Sequence, residues 1–105
     1  MSALLEEIAA RAPAHCAIID GARRWTYDEL RRDVLRTATA LANSGVRHGD
    51  RVGILAGNRA EWIVTYFATM HLGAIAVGLN TWSSARELAY QLAHADVSLL
   101  FLEPR

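Results

Sequence analysis

The residues from Gly49 to Trp62 read GDRVGILAGNRAEW, an apolar run, then two small residues, then a helix-start pattern. A strand that turns through glycine into a helix presents backbone N–H groups and a positive helix end to a phosphate. Phosphate binding is therefore the first chemistry to test. A dinucleotide fingerprint needs G-x-G-x-x-G at such a turn, because the backbone must approach a pyrophosphate with no Cβ in the way. Here the turn offers Gly57 alone, between Ala56 and Asn58. A P-loop needs Gly-Lys-Ser/Thr, and the chain has no lysine. Asn58 is placed to cap the first helical amides, and Glu61 brings a negative charge that repels an anion. The stretch is expected to be a scaffold turn.

The remaining reactive side chains are scattered. His15, His48, His71 and His94 form no close pair, and one cysteine supplies no Cys-x-x-Cys, so no metal site is expected. His71 and His94 are expected to be partly buried helix residues with a satisfied hydrogen bond. Cys16 follows His15, but strand neighbours point to opposite faces, so a thiolate–imidazole pair is not expected. Cys16 is read as a small core residue. No serine sits in G-x-S-x-G. Asp28, Glu29 and Asp33 stand three or four residues from Arg31, Arg32 and Arg36, a spacing that suits surface ion pairs on a helix. Glycines 45, 49, 53 and 57 fall every four residues across a turn and a strand, where a helix-packing motif does not apply. Trp82, in the loop Asn80-Thr81-Trp82-Ser83, is the most suggestive exposed-looking aromatic and is expected to plug against a missing neighbour rather than stack on a ligand. No catalytic, cofactor-binding or metal-binding residue is assigned.

The elements around these residues are readable from caps and periodicity. A first helix is expected over Ala3–Arg11, ending before Pro13, followed by a β-hairpin turning at Asp20-Gly21. Thr26 and Glu29 form a capping box for a long helix, with Trp25 and Leu30 as its hydrophobic staple. Its inward face is Leu30, Val34, Leu35, Ala38, Leu41 and Ala42, and Gly45 closes it. A strand over Arg51–Ala56 leads to a second capping box, Asn58 with Glu61, and a helix to about Leu72. Ala74–Leu79 is a strand without alternation, as when both faces are covered. Ser84 and Glu87 box a third helix with Leu88, Leu92 and Ala95 inward, and Val97–Leu102 is a last strand. The fold class is α/β: a hairpin and long helix followed by a βαβαβ parallel-sheet unit. Two crossovers make only half of a doubly wound fold, so residues 1–105 are read as one partial domain.

Composition narrows the function. Apolar residues make up 52% of 105, enough for a packed core. Eleven arginines balance eleven Asp and Glu, which argues against nucleic acid or an anionic membrane as the main partner. The N-terminus is not a secretory signal, and one cysteine fits a reducing, cytoplasmic setting. Trp62–Leu79 carries no formal charge, but Thr65, Tyr66, Thr69, His71 and Gly73 interrupt it, so no membrane span is expected.

Taken together, WTYDELR, ATALANSGVRHGDRV, GNRAEW, FATMHLGAIAVGLNT and RELAYQL resemble the opening of the adenylate-forming (AMP-forming) acyl-CoA synthetases, over about residues 13–103. The resemblance implies a two-step reaction, in which a carboxylate attacks ATP and coenzyme A then displaces AMP. ATP, Mg²⁺ and coenzyme A would serve a full-length enzyme. The family's phosphate loop, adenine-side aromatic, ribose-binding aspartate and catalytic lysine lie downstream and have no counterpart here, so none of these cofactors is expected on this segment. What transfers is structural: Thr26, Glu29, the Gly49-Asp50 turn and Asn58. Family members often have proline where Gly78 stands. The chain is accordingly read as the N-terminal piece of an acid–CoA ligase, inactive alone. Its partner would be the rest of that ligase, or itself through the open sheet edge. Two rival readings are a free-standing α/β binding module and a small nucleotide-binding fold using the strand ends.

Overall fold

Apolar stripes and helix caps assemble the chain as the pattern requires. The structure, a computed structural model, describes residues 2–55, 60–79 and 82–102. The elements are α1 (Ser2–Arg11), β1 (Cys16–Asp20), β2 (Arg23–Thr26), α2 (Tyr27–Asn43), β3 (Arg51–Leu55), α3 (Ala60–His71), β4 (Ile75–Gly78), α4 (Ala85–Ala95) and β5 (Leu99–Leu102). β1 and β2 pair antiparallel as a separate two-stranded sheet, and β3 lies between β4 and β5 in a parallel sheet of order β4-β3-β5. The hairpin, long helix and βαβαβ unit are those expected.

The hairpin turns one residue later than expected. Asp20 pairs with Arg23, so the two central residues are Gly21 and Ala22. Gly21 carries φ +61°, which the first central position of a tight hairpin turn requires and which a glycine accepts without strain.

Both fully described capping boxes form. The Glu29 amide donates to Thr26 Oγ1 at 3.1 Å and the Thr26 amide donates to Glu29 Oε1 at 2.9 Å. Ser84 and Glu87 repeat the arrangement at 3.2 and 3.1 Å. The box at Asn58 lies outside the described residues. Helix ends are closed by reciprocal turns. After α2, the Val46 amide reaches Leu41 O and the Gly45 amide reaches Ala42 O. After α3, Ala74 and Gly73 do the same to Thr69 and Met70. Such closures satisfy orphan carbonyls and place an apolar residue just past the helix against it. Val46 and Ala74 accordingly join the core.

The core is helix on helix on sheet. Leu30, Val34, Ala38 and Leu41 of α2 meet Val64 and Ala68 of α3, with Leu5 of α1 and Val52 of β3. Ala42 stands exposed and Leu35 half-exposed, so the buried stripe of α2 is narrower than expected. A seam four residues wide suffices where one helix is the main neighbour. Thr65 and Thr69 are buried without penalty, because each hydroxyl donates to the carbonyl four residues back, at 2.7 and 2.8 Å.

The other side is thinner. α4 has no fully buried side chain: Leu88, Leu92 and Ala95 do face inward, but only half-buried. β4 is an edge strand with Ile75 48% exposed, so its faces are not both covered as its composition suggested. The radius of gyration, 14.3 Å, exceeds the roughly 13 Å of a compact domain this long, consistent with extents of 44 × 31 × 19 Å.

Candidate functional site

The junction from β3 into α3 is where the sequence suggested phosphate chemistry. Residues 56–59, which include Gly57 and Asn58, lie outside the described residues. The start of α3 is described, and its first amide already has a partner. The Ala60 amide donates to Asp20 Oδ2 of the hairpin at 3.3 Å. Arg23 donates from Nη2 to the same Asp20 oxygen at 2.6 Å, and from Nη1 to Glu61 Oε1 at 2.7 Å. A second contact, Nη2 to Glu61 Oε2 at 3.2 Å, makes the Arg23–Glu61 pair bidentate. The hydrogen bonds from Arg23 hold the Glu61 carboxyl below the usual carboxylate range, and those of Glu61 and then Asp20 raise the Arg23 guanidinium.

Among the described residues, two carboxylates and one arginine meet at the start of α3, and the arginine is engaged by both acids. Among the described residues, no group of three or more His, Cys, Asp or Glu is arranged to hold a metal ion.

Arg23 also lies 4.8 Å from the Trp25 ring centroid, a cation–π distance, and the Trp25 indole donates to Asp33 at 3.0 Å. Asp33 in turn lies 3.8 Å from Arg36. One polar chain thus links hairpin, α2 and α3 beside a cleft of about 290 Å³ lined by Trp25, Asp33, Arg36, Thr37, Glu61 and Val64. The helix-surface pairs expected for α2 appear as Arg32–Asp28 at 2.7 Å and Arg36–Asp33, while Arg31 reaches across to Glu6 of α1 at 2.8 Å. The roles of Asp20 and Arg23 were not evident in sequence. They sit roughly forty positions from their partners, and the only local signal is that they flank the hairpin turn.

Three other expectations change. Cys16 is exposed, because it begins a strand of the free-standing hairpin; its thiol lies 3.6 Å from Ile18 O. His71 is exposed because it ends α3 where the chain turns away at Gly73. His94 is exposed at the open cleft between α4 and the end of β4, where it stacks on Tyr90 at 5.6 Å. Trp82 is 92% exposed. Gly49, at φ +85°, does form the turn before β3, with its amide bonded to Gly73 O at 2.9 Å. No helix among the described residues is long and apolar enough to cross a membrane.

A family model described as "AMP-binding enzyme" matches residues 5–105, and the chain belongs to that family. An acyl-CoA ligase, sidI of Aspergillus fumigatus, is 46% identical over 82 residues, which cover 78% of this chain and 14% of that ligase. The N-terminal subdomain of Klebsiella oxytoca NpsA superposes with a TM-score of 0.90 at 30% identity, over 95% of this chain and 26% of that one. The O-succinylbenzoate coenzyme A synthetase of Bacillus subtilis, solved with AMP, gives 0.87 at 36% identity over 91% and 25%. The chain therefore spans about a seventh of the ligase and a quarter of the solved chains.

Proposed function

We propose that the chain is the scaffold-forming first part of the large domain of an ATP-dependent acid–CoA ligase. In that reading the whole enzyme activates a carboxylate as its acyl-adenylate and passes the acyl group to the thiol of coenzyme A. The observation that carries the reading is the shared sequence and fold over nearly the whole described chain with coenzyme A synthetases. The contribution of these residues is to build a wall: β3 at the sheet centre, and α2 and α3 packed behind it. The acid-rich start of α3 supports placing the nucleotide site on the rest of the enzyme, which is also the partner this reading implies. A cytoplasmic setting belongs to the same proposal.

Calorimetric titration of the 105-residue chain with ATP and Mg²⁺ tests it, after size exclusion of the same sample. The expected result is no saturable heat. Saturable micromolar binding to a monomer would overturn the assignment and favour a nucleotide site at residues 56–59.

A further inference from the structure

The hairpin is held to the rest of the molecule at its two ends. β1 and β2 contain no fully buried side chain, and they share no ladder with the parallel sheet. Their base is anchored to the start of α2 by backbone bonds: the Tyr27 amide donates to His15 O at 3.0 Å, and the Asp28 amide to Pro13 O at 3.1 Å. At the far end, Asp20 and Arg23 flank the turn and grip Ala60 and Glu61 of α3. Between base and tip, Ala17 and Ile18 form one wall of an apolar cleft of about 270 Å³. Its other walls include Leu5, Leu30, Ile63 and Phe67.

We propose that the β1–β2 hairpin is a flap, hinged at α2 and clamped at its tip by Arg23 to α3, whose release opens the apolar cleft while α2 and α3 stay packed. Segments that open below the global unfolding energy are those with few buried apolar contacts, and the hairpin reaches the core only through the partly buried Ala17 and Ile18. The clamp is partly exposed, with the Arg23 and Glu61 side chains 48% and 37% accessible, so water and salt compete with it. The inference does not depend on the ligase reading, because it rests on attachment points within this chain alone.

Amide hydrogen exchange on the 105-residue chain at neutral pH tests it. In Arg23→Ala, the β1 and β2 amides should exchange roughly fivefold faster, the size of effect expected for losing a partly exposed ion pair. The α2 amides from Val34 to Leu41 should keep their rates. Glu61→Gln, which preserves shape and removes one charge, should give a smaller acceleration confined to the same strands. Raising the salt concentration of the unsubstituted chain should accelerate those strands in the same selective way. Equal acceleration of hairpin and α2 would mean that the hairpin opens only with global unfolding, and would overturn the flap. Unchanged hairpin rates in both variants would overturn the clamp.

Discussion

Helices α2 and α4 begin alike and end alike, yet only α2 is buried. Each starts with a complete capping box, from Thr26 and Glu29 or from Ser84 and Glu87. Each closes with the amide of the residue just past the turn bonded to a carbonyl in the last helical turn, from Val46 to Leu41 or from Val97 to Leu92. The closing positions differ only in that α2 uses Gly45 at φ +100° and α4 uses Asp96 at φ +54°. Local stop and start signals are therefore equally good in both. α2 nevertheless buries four side chains completely, and α4 buries none. The difference is in what lies opposite: α2 faces the Val64 and Ala68 face of α3, whereas α4 faces Val77 and Leu79 near the end of an edge strand. Capping decides where a helix begins and ends, and its neighbours decide how much stability it confers.

Truncating the inward leucines should expose that contrast most strongly. Leu41→Ala is expected to cost about 2–5 kcal/mol, as enclosed leucines do, whereas Leu92→Ala should cost about 1 kcal/mol, because Leu92 is only partly buried. Urea midpoints of the two variants measure this. Equal losses would mean that α4 is enclosed as tightly as α2.

A smaller effect separates the two glycine closures. Gly45→Ala meets no atom and carries only the left-handed backbone strain, about 1 kcal/mol. Gly73→Ala carries the same strain, and its Cβ also collides with the His48 ring, so it should be the more destabilising of the two. Thermal melts of Gly73→Ala with and without His48→Ala resolve the parts. If the second substitution recovers nothing, the ring does not hold that turn.

The acid limb should show the smallest difference. Cap hydrogen bonds, the backbone donor first, lower the Glu29 carboxyl through Thr26 and the Glu87 carboxyl through Ser84. A folded-state pKa below the unfolded one gives stability that is present above the ordinary glutamate value and is lost as pH falls through the folded value. Glu29→Gln and Glu87→Gln should each flatten the fall in urea midpoint on acidification. The Glu29 variant should do so more visibly, because α2 unfolds with the core. An identical effect from Glu87 would show that α4 melts with the core and would remove the distinction.

Much of this protein was written locally. The two described capping boxes, the ion pairs of α2, the glycine that closes it and the order of strands and helices all follow from residues within a few positions of one another. Those interactions form as soon as the local backbone does, so their signature survives in a one-dimensional pattern. The family, too, was legible in the succession of such motifs. What the tertiary structure alone decided is who faces whom. It made Asp20 and Arg23 partners of Ala60 and Glu61, roughly forty residues away. It left Cys16 and His94 outside and α4 half-covered, although their local patterns suit burial. Burial and long-range charge pairing depend on distances between segments that the chain brings together only on folding, and no spacing within a segment encodes them.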